Sequence, residues 1–250
     1  MVMSKKYKGK TCVYCCDAIS TTGDHVFARQ LFLKARRSDL PKVPACEACN
    51  QQKSELEHYV TAVLPFGGRH PDGAENLKNM VPKRLANNAS LHASLRKGMG
   101  RLWIREKGLL VPTITVPLEW QKVEQWLVYL VKGLSGHHWK VLIGPNYTVK
   151  FLTLTSHGEV FVRQVLGRRA ANRIRHDVGA GTIAYEAAQG VDNPKLSVWQ
   201  FSIYGGMTLA DDGTRPKQTG SKFGAIVGPN QLFDRAEIRA MWLRGEPTCS

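Results

Sequence analysis

No apolar run in this chain approaches the ~20 residues that a helix needs to cross a bilayer. The opening "MVMSKKYKGK" has the positive charges of a signal peptide but no apolar segment behind them, and it reads as a basic arm on a cytoplasmic protein. No internal repeat or low-complexity tract appears, which sets solenoids aside. Acidic residues are scarce beside basic ones, 20 against 35, a net charge of +15. Such an excess favours a polyanionic partner, with nucleic acid the first candidate, and gives no reason to expect a membrane one. The surplus is uneven: 10 − 6 = +4 over residues 1–60, 13 − 5 = +8 over 61–150, and 12 − 9 = +3 over 151–250. Cysteine is almost absent beyond residue 49. Five of the six lie in the first fifty residues, and Cys249 stands alone. Disulfide frameworks usually spread through a small secreted chain, so this clustering reads as a metal site instead. With 250 residues and 43% hydrophobic composition, the chain can bury the core of one large domain or two small ones.

The cysteines form two CxxC knuckles, Cys12-Val-Tyr-Cys15 and Cys46-Glu-Ala-Cys49, thirty residues apart. Each knuckle aims two thiolates from one tight turn at one metal. Two knuckles complete a tetrahedron, the geometry of structural zinc, with rubredoxin-like iron the minor alternative. A redox role fits less well, because a thioredoxin-type motif needs one CxxC in a βαβ setting. Cys16 is a spare thiol beside the site. Four thiolates leave no open position for water, so this metal holds the fold and does no chemistry.

Between the knuckles stands "TTGDHVFARQLF", with Asp24 and His25 adjacent, and Asn50 directly follows the fourth cysteine. The knuckles tie the ends of segment 16–45 together, so Asp24 and His25 can come opposite Asn50. Asp and Asn supply hard oxygen ligands, which suit Mg2+ or Mn2+ when phosphate and water complete the shell. On an extended backbone His25 points away from Asp24, where it can reach a water as general base. A lone Asp-His pair is more often a turn cap with a packed ring. Flanked by two knuckles and followed by "CN", these are the parts of a one-metal phosphodiesterase.

The stretches "CVYC", "TGDHVFARQLF" and "VPACEACNQQKS" resemble the HNH endonucleases with a four-cysteine zinc and a ββα-metal core, and look most like the endonuclease VII-like branch. The resemblance covers residues 10–60. It implies Cys12, Cys15, Cys46 and Cys49 as zinc ligands, Asp24 and Asn50 as holders of the catalytic metal, and His25 as general base. It also implies a short hairpin carrying Asp-His with the next helix packed across it, and products with 3′-hydroxyl and 5′-phosphate ends. Many members have a further ligand a few residues into the helix, for which Glu57 and His58 are the candidates. At ~100° per residue, Glu57 lies about 20° from the direction of Asn50 and His58 about 80°. Glu57 is therefore the better metal partner, and His58 is free to touch a phosphate or solvent. Lys53 is a candidate phosphate contact.

The rest of the chain is less explicit. Residues 67–76, "GGRHPDGAEN", read as a linker or surface loop. Residues 77–107 hold eight Lys or Arg against one Glu, with short helices expected around 82–97. Lys83, Arg84, Arg96 and Lys97 are candidate contacts to a phosphate backbone. Residues 118–134 carry apolar residues at 123, 126, 127, 130, 131 and 134, a helix with one buried face. Trp120 and Trp126 read as core, and His137-His138 as a helix end. "YTVKFLTLT", "EVFVRQVL", "TIAYEAAQ" and "LSVWQFSIYGG" read as strands of an antiparallel sheet. "RQVLGRRAANRIR" offers a second basic strip, with Arg168, Arg169 and Arg173 as candidate phosphate contacts. A closing helix is expected over 234–244 with Asp234 as its N-cap.

The expected fold is α+β: a zinc-binding HNH nuclease module over 1–66, a basic helical linker region over 67–110, and a mixed helix and antiparallel-sheet region over 111–250. The expected function is metal-dependent hydrolysis of phosphodiester bonds in DNA, with a homodimer as one route to double-strand cleavage. The alternatives are a zinc-stabilised nucleic-acid binder that does not cleave, and an RNA nuclease on the same fold.

Overall fold

The computed structural model describes residues 6–106, 108–154, 156–167, 170–207, 209–211, 215–219 and 222–234. Helix and antiparallel sheet are mixed, as an α+β fold requires. Strands β1 (Thr22–His25) and β2 (Lys42–Ala45) pair antiparallel, and helix α1 (Glu47–Val63) follows at once. Three short helices come next: α2 (Pro71–Asn79), α3 (Val81–Ala86) and α4 (Ala89–Gly98). A two-stranded ribbon, β3 (Gly100–Glu106) with β4 (Leu109–Thr115), leads into the long helix α5 (Trp120–Trp139). Strand β5 (Tyr147–Leu154), helix α6 (Ser156–Gly167), and strands β6 (Ala170–Val178), β7 (Ile183–Gly190) and β8 (Ser197–Ile203) come next. A short pair, β9 (Leu209–Asp211) with β10 (Arg215–Thr219), precedes β11 (Lys222–Pro229) and one turn of helix, α7 (Asn230–Phe233). Five strands form one antiparallel sheet in the order β5-β11-β8-β7-β6. Among the described residues, no helix is long and apolar enough to cross a membrane.

Helix α5 organises the molecule. Val123, Trp126, Leu127, Leu130, Val131 and Leu134, the six positions of its apolar stripe, are all fully buried. They share one hydrophobic core with Trp199 and Phe201 of the sheet and with Val13, Val26 and Phe27 near the cysteines. Burial of such side chains contributes roughly 1.5–3 kcal/mol each. A smaller apolar cluster, Leu154, Val162, Leu166 and Ala188, lies under α6. Helix α5 comes very close to the cysteine region because glycine faces it. A Cβ on Gly133 would stand 2.9 Å from Val26 Cγ1, and one on Gly136 would stand 3.0 Å from Val13 Cγ1. Lys132 Nζ donates to the Tyr14 carbonyl at 2.8 Å, and the Tyr14 and Tyr129 rings meet edge to face. The long helix thus forms a floor under the first knuckle and the end of β1.

Several expectations are corrected. Residues 71–79 are helix α2, not part of a surface loop, because Pro71 starts it and its polar residues have buried partners. Asp72 is buried between Arg36 Nη1 at 3.0 Å and the Thr182 hydroxyl at 2.7 Å, and Asn76 donates to the Leu31 carbonyl at 2.9 Å. These contacts tie the segment after His25 to the large sheet. "EVFVRQVL" lies in α6, not in a strand. Residues 100–106 and 109–115 form the β3–β4 ribbon, so the stretch expected to be a helical linker is helical only in part. Asp234 is the C-cap of α7, and the rest of the expected closing helix lies outside the described residues, as do Arg168, Arg169 and Cys249.

His137 and His138 close α5, as expected of a helix end, but they are not idle. The His138 ring stacks on His176, with centroids 4.6 Å apart, and its Nε2 lies 2.8 Å from the Tyr185 hydroxyl. Burial, reinforced by His137, His176 and Lys140, pushes His138 down from the usual imidazole value to about 4. A depressed histidine stabilises the fold fully above its unfolded value near ~6.5 and loses that contribution as pH falls towards the folded value. Thermal unfolding from pH 7 to 4 is therefore expected to show a smaller acid-driven fall in Tm for His138→Gln than for the wild type. Equal falls would remove His138 from the acid sensitivity.

Candidate active site

The first knuckle is a tight turn in which Cys16 takes a left-handed conformation (φ 62°) and the Cys12 amide donates to the Ala18 carbonyl at 2.9 Å. Burial raises the Cys15 thiol, but the Asp17 and Ala18 amides directed at it outweigh that and bring it down to about 7. The second knuckle begins at the N-cap of α1: Cys46 precedes the helix and Cys49 lies in its first turn. The sulfurs of Cys12, Cys15, Cys46 and Cys49 all lie within 4.8 Å of one another, and this group can hold a metal ion. The 4.0 Å between Cys15 and Cys46 is about twice a disulfide length. It is close to the ~3.8 Å edge of a tetrahedron with 2.3 Å metal–sulfur bonds.

Strand β2 runs straight into Cys46, and β1 is registered on it, with Asp24 opposite Val43 and His25 opposite Lys42. The cysteine cluster thereby sets the position of the Asp-His strand against α1. Asp24 and His25 are neighbours on an extended strand, so their side chains leave opposite faces.

Asp24 meets α1 through Lys53. The Lys53 side chain is only 1% exposed, and its ammonium lies 3.0 Å from Asp24 Oδ2, donates to the His25 carbonyl at 2.7 Å, and is ion-paired with Glu57. The Tyr14 hydroxyl, from inside the first knuckle, donates to the same Asp24 Oδ2 at 2.5 Å. Lys53, expected as a surface contact to phosphate, is instead a buried cation that binds both members of the Asp-His pair to the helix. Burial pushes Glu57 up to about 7 against the opposing pull of Lys53. Tyr14 is held well above the usual phenol range by burial and the Asp24 carboxylate.

His25 is half-buried, and its Nδ1 is enclosed without a hydrogen-bond partner among the described residues. Burial, with Lys42 and Arg29 adding to it, pushes the ring down to about 4. The imidazole is therefore neutral at pH 7 and able to accept a proton.

The other candidates separate clearly. Glu57 faces Lys53, while His58 is exposed and lines a cavity of about 1090 Å3 with Asn88, Lys122 and Lys132. That cavity does not include Asp24, His25 or Asn50 among its lining residues. Arg84 donates to the Thr61 carbonyl at 2.5 Å and the Gln30 carbonyl at 2.7 Å, a clamp between α3 and α1. Lys83, Arg96 and Lys97 are exposed, and exposed Arg173 is paired with Glu186. The sequence reading missed Tyr14, whose only signal was an aromatic residue inside the knuckle.

Asn50 lies one turn before Lys53, and its side chain makes no hydrogen bond to the described residues. Asp24 is likewise anchored through Oδ2 alone, leaving Oδ1 without a protein partner among them. Both are hard oxygen donors, of the kind that Mg2+ or Mn2+ takes beside water and phosphate. The Lys53 ammonium, 3.0 Å from Asp24 Oδ2, opposes any cation at that carboxylate. No protein-family model, no curated protein and no solved structure matches this chain.

Proposed function

We propose that the chain is a metal-dependent endonuclease of the HNH type that hydrolyses phosphodiester bonds in DNA. The observation that carries this reading is the β1-β2-α1 succession that brings Asp24 and His25 against the Asn50-bearing helix beside a four-cysteine cluster. Zinc is the metal for the four cysteines, and it has a structural role. Four free thiols suit a reducing compartment such as the cytoplasm.

In this mechanism His25 accepts the proton of the attacking water, and the phosphodiester's own negative charge raises the ring from its depressed value towards a useful basicity. Lys53 and Tyr14 hold Asp24 Oδ2, so the carboxylate presents Oδ1 in one orientation. The lysine's bond to the His25 carbonyl fixes the strand that carries the base. A divalent ion held by Asp24 and Asn50, when bound, supplies charge stabilisation at the phosphate and the departing oxygen. One such site cuts one strand, so double-strand cleavage calls for a dimer or two events.

The second reading is a zinc-stabilised nucleic-acid binder that does not cleave. The Lys53 ammonium on an Asp24 oxygen favours it, since that oxygen is already engaged. Nicking of supercoiled plasmid separates the two. Wild type in Mg2+ or Mn2+ is expected to nick, and His25→Ala to nick about 10²- to 10⁴-fold more slowly. Tight binding without cleavage in either metal would select the second reading.

A further inference from the structure

We infer that the β3–β4 ribbon is a DNA-gripping arm that lays its outer face into the major groove of a duplex. This rests on the reading of DNA as the substrate. The ribbon's register pairs Arg101 with Ile114 and Trp103 with Pro112, so these residues and Leu110 belong to one face. On β4 the exposure alternates from Leu110 onward: Leu110, Pro112 and Ile114 are exposed, whereas Val111, Thr113 and Thr115 are partly covered, and Leu109 beside the turn is exposed as well. The apolar side chains are therefore on the solvent side. Trp103 is 65% exposed, Leu110 64% and Ile114 52%, the reverse of the pattern a half-buried ribbon needs.

The charge around this face selects its occupant. Between residues 77 and 118 the chain carries eight Lys or Arg and a single acid, Glu106. Arg96 and Lys97 are exposed at the end of α4, a few residues before the exposed Arg101 at the start of the ribbon. A second copy of so basic a surface is repelled, while a polyanion is drawn to it. A two-stranded ribbon fits the ~12 Å major groove of B-form DNA, where apolar side chains meet base edges and thymine methyls. The major groove of duplex RNA is too narrow to admit it. Gly108, with φ +85°, allows the tight turn that makes the ribbon's tip.

The test is binding of a fluorescent DNA duplex by full-length protein in EDTA, so that cleavage does not intervene. The triple variant Trp103→Ser, Leu110→Ser, Ile114→Ser is expected to bind about tenfold or more weakly than wild type, at unchanged Tm. Hydrogen exchange on the wild type needs no variant, and it is expected to show protection of residues 100–115 when duplex is added. Unchanged affinity, or no protection of the ribbon while other segments are protected, would overturn the inference and leave the nuclease reading standing. So would a triple variant that loses a dimer in sedimentation but keeps its DNA affinity, because the face would then serve a second copy. Failure of the wild type to bind any DNA would defeat the nuclease reading first, and this inference with it.

Discussion

Removing the metal from the four-cysteine cluster is expected to unfold the first sixty residues and to loosen the core beneath them. Purified protein should hold about one equivalent of zinc, and a strong chelator or Cys46→Ser should release it. Burial raises the Cys12 and Cys49 thiols, which opposes thiolate formation at both in the metal-free protein. Locally the knuckles are otherwise joined by the Val13 amide's bond to the Pro44 carbonyl, the Thr21 amide's bond to the Ala45 carbonyl and the β1–β2 pair, whose strands are four residues each. Their apolar neighbours Val13, Tyr14, Val26 and Phe27 pack into the same core as α5 and the large sheet. Loss of the cluster therefore reaches residues far away in sequence. Structural zinc sites contribute roughly 10–16 kcal/mol of apparent binding energy, which is folding energy where the site does not persist in the unfolded chain. Thermal unfolding with and without chelator measures the effect. A Tm unmoved by complete metal loss would show that the cluster is dispensable.

Lys53→Met is the second large effect, with an expected loss of about 3–5 kcal/mol of stability. At roughly 2–4 °C per kcal/mol for a chain of this length, Tm should fall by about 10 °C. Methionine fills much of the lysine stem's volume, so the cost is electrostatic rather than a cavity. The substitution leaves Asp24 and Glu57 without their shared counter-ion and the His25 carbonyl without its donor. Glu57, already raised by burial, would be driven further towards its neutral form. Glu57→Gln in the Lys53→Met background should recover part of the loss. The coupling between the two changes, read from a double-mutant cycle, should be about 0.5–3 kcal/mol. If Lys53→Met were as stable as wild type, the buried network would not hold the Asp-His strand to the helix.

The parts of this architecture that follow from local spacing were legible in the sequence. The knuckles converge because each CxxC is one turn. The α5 stripe is buried at all six expected positions because a 3.6-residue period admits one core-facing side. Helical geometry places Glu57 nearer than His58 to the direction of Asn50, which made it the better candidate for a shared metal; in the structure its carboxylate is ion-paired with Lys53. What the sequence hid depends on tertiary partners. Lys53 stands in "NQQKSELEH", a run that looks solvated throughout, and only the arrival of Asp24 and the His25 carbonyl makes it a core residue. Arg84 is similar, since nothing local marks the Thr61 and Gln30 carbonyls as its acceptors. "GGRHPDGAEN" has turn composition, yet Asp72 and Asn76 acquire buried partners, Thr182 and the Leu31 carbonyl, more than thirty residues away. "EVFVRQVL" is a short apolar run of the kind that periodicity cannot divide between strand and helix.

Asp24, His25 and Asn50 stand or fall together as a nuclease site. Its most direct test is supercoiled plasmid incubated with wild type and with His25→Ala, each in Mg2+, in Mn2+ and in EDTA. The wild type is expected to nick in at least one metal and not in EDTA, and His25→Ala to lose about 10²-fold or more at unchanged folding. Equal nicking by wild type and His25→Ala would contradict it, as would cleavage that persists in EDTA.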